Sequence, residues 1–297
     1  MTQQLDIIEY YDRRTGHLCR ETVMGDGAIR WAYQSLSGRL SAHLLFGTAL
    51  PSRILGWYFD SPLSRAKIAG TISALQIDAS EFARPPSEFR SFNDFFTRKL
   101  KPGARPFSAD KNCLPSPADG RLLVYPDLTS GSCVAVKGVE DSLHHLFAGP
   151  IDDFNGGTAA VIRLCPADYH RYHFPCDGRV AAQVSVAGKY HSVNPVALQS
   201  KKRIFCLNKR AYALIDTEHF GRLAFMEVGA FGVAGIHQSY TGPAVQRMEE
   251  KGYFDFGGST IILLFQRERI RFDADLLANS ARGIETLVRA GETVARA

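Results

Sequence analysis

The chain has 297 residues, 45% hydrophobic and 22% charged, with 35 basic and 30 acidic side chains and a formal net charge of +5. That balance excludes a largely disordered chain and lacks the basic footprint of a nucleic-acid binder. Six cysteines lie scattered at 19, 113, 133, 165, 176 and 206, and the sequence opens without a basic start and apolar signal core, so free thiols in a reducing compartment are expected.

Residues 1–25 are polar and predict an irregular or short-stranded start. Residues 28–82 read as helical. Leu36, Leu40 and Leu44 repeat at i+4, and Ile54 with Trp57 and Tyr58 forms a second apolar stripe, with Pro51 between the two. The run Leu40–Ser52 lacks charge but falls short of the roughly 20 residues that span a bilayer. Ile68, Ile72 and Leu75 carry the helical period to about Ile77, and Asn93 stands as a cap before Asp94-Phe95-Phe96.

After Pro102 the texture becomes that of strands. Gly120–Tyr125, Cys133–Lys137, Thr158–Leu164, Gly178–Val186, Arg210–Ile215, Gly221–Val228 and Ser259–Phe265 are short, rich in β-branched residues and bounded by Gly, Pro, Asp or Asn. Few alternate with helices, which argues against a parallel sheet. A last helix is expected from about Asp273 to the C-terminus, with Leu276, Leu277, Ile284, Leu287 and Val288 along one side. The predicted fold class is α+β, a helical N-terminal region (1–85) packed on an antiparallel, sandwich-like β core (86–297) that carries the active site.

Three segments carry candidate chemistry. Phe256-Gly257-Gly258-Ser259-Thr260 precedes the apolar run Ile261–Phe265. It reads either as a glycine turn entering a buried strand or as an open peptide bond beside a hydroxyl nucleophile. Asp168-Tyr169-His170-Arg171-Tyr172-His173 lies between Pro166 and Pro175, so two imidazoles suited to proton transfer sit in a structured loop. With Cys165 and Cys176 the same histidines form Cys-x4-His-x2-His-x2-Cys, a four-ligand zinc set by composition but not by any usual spacing. Ser116-Pro117-Ala118-Asp119-Gly120 ends in an Asp-Gly pair, which is either a turn or a carboxylate able to orient a histidine.

Together these segments closely resemble the phosphatidylserine decarboxylase family. Residues 91–106 are similar to the family's segment ahead of its catalytic core. Ser116–Gly120 resembles its Pro-Ala-Asp-Gly motif, and Asp168–Pro175 its Tyr-His-Arg-x-His-x-Pro loop. Tyr190–Pro195 and Gly252–Thr260 are similar to further blocks, the latter in a Gly-Gly-Ser-Thr form that marks one subgroup. Five blocks in the family's order make a strong signal.

The resemblance implies self-cleavage between Gly258 and Ser259 into a beta chain (1–258) and an alpha chain (259–297) that remain associated, with a dimer of these as a further implication. It makes Asp119, His173 and Ser259 the cleavage triad, gives His170 a part in decarboxylation, and turns Ser259 into a covalent pyruvoyl (pyruvate) cofactor. That group forms a Schiff base with the serine amine of phosphatidylserine, and loss of carbon dioxide leaves phosphatidylethanolamine. The implied metal requirement is none, and the implied partner is a phosphatidylserine-containing membrane, engaged peripherally on the cytoplasmic face of the cell membrane. Trp31, Trp57, Tyr58 and Phe59 are candidates for that contact, as are the basic residues Lys201-Lys202-Arg203 and Lys209-Arg210. Two alternatives stand beside it: a pyruvoyl-dependent decarboxylase of a soluble amino acid, and a non-enzymatic zinc-stabilised lipid-binding module.

Overall fold

Strand Ser259–Phe265 is buried at every position, which is why its sequence is a continuous apolar run rather than an alternating one. The computed structural model describes residues 9–21, 49–128, 133–136, 139–147, 152–188, 208–229, 235–257 and 259–297. In chain order the strands are β1 (Glu9–Asp12), β2 (His17–Arg20), β3 (Cys113–Pro115), β4 (Gly120–Tyr125), β5 (Cys133–Val136), β6 (Val139–Ser142), β7 (Thr158–Leu164), β8 (Arg171–His173) and β9 (Gly178–Val186). They continue with β10 (Arg210–Asp216), β11 (Arg222–Val228), β12 (Ile236–Gln238), β13 (Ala244–Val245), β14 (Glu250–Phe254), β15 (Ser259–Phe265), β16 (Arg271–Phe272), β17 (Glu285–Val288) and β18 (Thr293–Arg296). The α-helices are α1 (Ala49–Asp60), α2 (Lys67–Ala74), α3 (Phe92–Phe96), α4 (Leu143–Phe147) and α5 (Ala274–Ala281).

Ten strands form one sheet in the order β13-β9-β10-β11-β15-β7-β4-β17-β1-β2, antiparallel except where β1 runs parallel to β17. β15 lies at its centre, between β11 and β7. A three-stranded sheet, β12-β14-β8, covers part of it. The fully buried Tyr172 of β8 packs on Phe225 of β11, and Lys251 of β14 reaches Glu227 of β11 at 2.5 Å. The α+β, sandwich-like architecture expected from the sequence is therefore present.

A second apolar cluster stands apart from this core. Phe59, Ile68, Phe82, Phe89, Phe92, Phe95 and Phe96 form it, with Leu55, Ile72 and Phe256 packed against it. α1, α2 and α3 thus meet around phenyl rings. Phe59 is buried here, so of the aromatic run proposed to face a membrane only Trp57 (80% exposed) and Tyr58 remain outside, with Ile54 and Leu63 beside them. Trp31, the leucine stripe at 36–44, Tyr190–Pro195 and Lys201–Arg203 lie outside the described residues. Arg210 is not a headgroup cation either. It is buried and donates to the carbonyls of Leu146, His145 and Asn208.

Two further expectations need correction. The helix at 92–96 is capped by Ser91, whose hydroxyl accepts from the Asp94 amide, while Asn93 sits inside it and binds elsewhere. The expected C-terminal helix ends at Ala281. Gly283 adopts a φ of 69°, a left-handed stop that glycine takes without penalty, and Glu285–Val288 then pairs with both β1 and β4. The apolar residues after 283 have helical spacing from Leu276, but Ile284, Thr286 and Val288 are β-branched, and cross-strand partners decide their state.

Candidate active site

Ser259 is the first residue of β15 and is fully buried. Its register opposite Leu164 sets it at the end of β7, where the histidine loop begins. The preceding Gly257 has φ 152°, a backbone angle that side-chain-bearing residues seldom take. Gly258 lies outside the described residues. The Ser259 hydroxyl and that of its neighbour Thr260 are both buried without a hydrogen-bond partner. Buried hydroxyls are normally bonded, so two adjacent exceptions make the start of this strand a candidate site.

The loop from Cys165 to His170 is tied to this strand at both ends. Leu164 pairs with Ser259, and the His170 carbonyl accepts the amide of Phe254, which leads toward the Gly-Gly-Ser-Thr segment. Side-chain packing adds to this. The His170 ring lies 3.8 Å from that of Phe96, which packs at 5.1 Å on Phe256, three residues before Ser259. His170 Nδ1 is 2.9 Å from the Asp168 carbonyl oxygen. A carbonyl only accepts, so Nδ1 carries the hydrogen and Nε2 presents its lone pair, buried and unpartnered. Burial, reinforced by the nearby Arg98 charge, pushes the His170 pKa down to about 3. The ring is neutral at pH 7.

His173 is not in a loop but ends the short strand β8, paired with Glu250 of β14. Its amide donates to the Pro117 carbonyl at 2.8 Å, which draws the Ser116–Gly120 segment to the histidines. Its Nδ1 is buried and unpartnered, and its ring stacks on Tyr169 at 5.9 Å. Burial lowers its proton affinity too, while the charges of Glu250 and Asp119 act the other way.

Asp119 is buried at the entrance of β4. Gly120 follows it because a Cβ there would stand 2.8 Å from the Arg163 carbonyl oxygen; close packing, not turn geometry, demands the glycine. The Asp119 carboxylate is held by Arg105, whose Nε and Nη2 bind its two oxygens at 2.9 and 2.6 Å, and by the Ala290 amide at 2.8 Å. Neither histidine hydrogen-bonds to it, although its charge favours protonation of both. Arg105 also reaches Glu81 at 3.0 Å and lies over the Tyr169 ring, whose neighbour in the stack is His173.

Arg98, Arg105, Arg121 and Arg163 were not singled out from the sequence, yet they frame the site. Arg121 binds Asp168, whose Oδ2 also accepts the Cys165 amide at 2.6 Å and so fixes the loop. Arg163, opposite Thr260, is locked by Glu285 and Glu21. Their signal was positional: Arg98 and Arg105 fall within residues 91–106, and Arg163 within a strand otherwise apolar. The cysteines do not join the histidines. Cys165 accepts from Arg163, and among the described residues no group of three or more His, Cys, Asp or Glu side chains is arranged to hold a metal. The zinc-stabilised alternative loses its ligand set.

Residues 92–296 match the family model described as phosphatidylserine decarboxylase. A phosphatidylserine decarboxylase proenzyme of Fusobacterium nucleatum is 41% identical over 288 residues, 96% of either chain. Proenzymes of the same name from Clostridium botulinum strain Langeland (43% identical, covering 97% of this chain and 99% of its own length) and Desulfitobacterium hafniense strain Y51 (42%, covering 97% and 98%) are similar to equal extent. This chain belongs to the phosphatidylserine decarboxylase family.

Proposed function

We propose that the chain is a proenzyme that cuts itself before Ser259 and then decarboxylates phosphatidylserine to phosphatidylethanolamine. The observation that carries the reading is the group of buried, unpartnered atoms on elements that converge: Ser259 Oγ, Thr260 Oγ1, His170 Nε2 and His173 Nδ1. A serine hydroxyl with no competing hydrogen bond, two residues after a glycine of unusual backbone angle, is suited to attack the preceding carbonyl. His173 is the base that takes its proton, and its burial keeps it neutral and ready to accept. Asp119, fixed by Arg105, supplies the negative charge that steadies the imidazolium formed. The resulting ester opens by elimination, leaving a carboxylate at the end of the beta chain and dehydroalanine at residue 259, whose imine tautomer takes up one water and releases ammonia to give the pyruvoyl group.

The pyruvoyl group supplies an electron sink for decarboxylation. The protein's part is to exclude water and to place His170 Nε2 by the reacting carbon, where it handles the proton that replaces carbon dioxide. Ile54, Trp57, Tyr58 and Leu63 form an exposed apolar surface suited to peripheral membrane contact. Among the described residues no helix is long and apolar enough to cross a membrane.

Denaturing electrophoresis with intact-mass analysis tests the reading. It predicts chains 1–258 and 259–297, the smaller refractory to N-terminal sequencing for want of an amine. A fully active preparation that remains one uncut chain refutes it.

A further inference from the structure

Arg98 is 3% exposed, and its Nε and Nη1 are buried without hydrogen-bond partners. Its Nη2 donates to the carbonyls of Ala167 and Asp168 at 3.0 and 2.9 Å. Among the described residues it makes no ion pair. The two carboxylates whose charge favours its protonation, Asp119 and Asp168, are bonded to Arg105 and Arg121 instead. The faces of Phe82 and Phe95, each 5.1 Å away, offset part of the desolvation. A buried guanidinium held this way still lacks an anion.

Its position supplies one. The Asp168 carbonyl oxygen is shared: Arg98 Nη2 and His170 Nδ1 both donate to it, each at 2.9 Å. The open donors of Arg98 and the open acceptor of His170 are therefore neighbours on one rigid carbonyl. We propose that Arg98 is a substrate-binding residue that takes an anionic oxygen of the serine phospholipid headgroup and holds it beside His170. This inference rests on the reading of His170 and Ser259 as the active site. The headgroup offers two such oxygens, on its carboxylate and on its phosphodiester. Pairing either with Arg98 also removes a positive charge that opposes protonation of His170. Substrate binding then raises the proton affinity of the imidazole at the moment it has to handle a proton.

Arg98→Gln and Arg98→Lys test this, assayed as cut enzyme in mixed micelles of phosphatidylserine and detergent, with rates normalised to pyruvoyl content. Losing a charge-assisted contact raises KM about 10- to 100-fold in Arg98→Gln, and less in Arg98→Lys, with kcat changed far less. Inhibition by added phosphatidylethanolamine, which keeps the phosphodiester but lacks the carboxylate, separates the two oxygens. A Ki that rises with KM assigns Arg98 to the phosphodiester; an unchanged Ki assigns it to the carboxylate. Unchanged KM and Ki in either cut variant overturn the proposal. If both variants stay uncut while folded, Arg98 belongs to the self-cleavage machinery and the proposal is overturned as well. Failure of the active-site reading itself shows elsewhere, in a Ser259→Ala protein that still cuts or turns over.

Discussion

On one side of the strand pair β7–β15 lies a charged network, and at the strand's start lies a set of groups with nothing to bond. Arg163 is buried, yet all three of its guanidinium nitrogens reach carboxylates: Nε and Nη2 bind Glu285 at 2.9 and 2.5 Å, and Nη1 and Nη2 bind Glu21 at 3.1 and 2.5 Å. Arg121 is bound to Asp168 in the same layer, with its Nε left facing Glu21 at 3.8 Å, an ion-pair distance too long for a hydrogen bond. Lys251 and Glu227 repeat the pattern between the sheets, with Gln238 as third partner at 2.9 Å. By contrast Ser259, Thr260, His170 and His173 each leave a buried polar atom open. Both regions are polar and largely buried. Satisfied polar groups hold the strands in register and fix the loop; unsatisfied ones are held there by that frame, at an energetic cost the frame offsets. On the proposed reading, the contrast separates residues that shape the site from residues that react in it.

The contrast is broken most directly at Ser259. Ser259→Ala removes the nucleophile and the precursor of the cofactor, so cleavage and decarboxylation both vanish while the fold persists; gel analysis and carbon dioxide release read the two losses. His173→Ala and Asp119→Ala leave the hydroxyl in place without its base or the charge beside it, and cleavage slows by about 10³- to 10⁴-fold. With His173 as the proposed base, cleavage of the native protein needs that imidazole neutral. Because burial holds its pKa below 6.5, the rate is flat at pH 7 and above and falls only as the pH drops through that lowered value. A time course of chain cutting across pH 5 to 8 checks this; a rate still climbing at pH 8 is incompatible with His173 as the base. His170→Ala is the complementary break. It still cuts, but loses decarboxylation by about 10²-fold or more, mainly in kcat. The opposite division between the two histidines would exchange their roles.

In the satisfied region the expected effect is on stability. Lys251→Met removes the ammonium that lies over the Phe225 and Tyr172 rings and strands the fully buried Glu227 carboxylate in the core. Removing one partner of a buried pair costs about 3–5 kcal/mol. Burial already raises the Glu227 pKa, so the carboxyl sheds its charge as pH falls and the deficit of the variant shrinks. Urea titration of the uncut Ser259→Ala background, with and without Lys251→Met at two pH values, measures this. A deficit that does not change with pH would assign the loss to packing alone.

Strands and reacting groups were legible in the sequence to different depths. β15 and β7 appeared as nearly continuous apolar runs because a strand buried on both faces has no alternation to lose, whereas β10 keeps a partial alternation with Tyr212 and Leu214 half-buried. The C-terminal strands did not, since Leu276 to Val288 fits a helical stripe until Gly283 stops it and β1 and β4 supply partners from distant sequence. Ser259 and the histidines stood out as rare chemical types in motifs. Arg98 and Arg105 stood within residues 91–106 without being singled out, because burial of an arginine and the carboxylate or carbonyl it meets are long-range facts. Asp119 illustrates both sides: its motif was visible, but its bond to Arg105, fourteen positions earlier, was not.

The smallest expected effect sharpens the comparison at a pair that is neither dry nor idle. His237 on β12 donates from Nε2 to Asp255 at 2.8 Å, four residues before Ser259, and stacks on Tyr253 at 4.6 Å. Asp255 is also held by Asn93 at 3.2 Å, and Asn93 accepts the Phe256 amide at 2.9 Å and donates to Asp60 at 2.8 Å. The pair raises the His237 pKa, chiefly through its hydrogen bond to Asp255, with Lys209 opposing and Asp60 assisting. A pKa raised in the folded state gives stability that is complete below the unfolded value of 6.5 and is lost as pH rises through the folded one. The His237 side chain is 42% exposed, so solvent screening limits the contribution to about 0.5 kcal/mol. His237→Gln keeps a donor for Asp255 but does not titrate. It is therefore less stable than the native protein near pH 5.5 by that small amount and equal to it by pH 8, and 0.5 M salt narrows the gap further. Cleavage before Ser259 proceeds at its native rate, because Asn93 continues to hold Asp255 and Phe256. A variant that is equally destabilised at both pH values, or one that stops cutting, would move His237 from the satisfied frame into the reactive group.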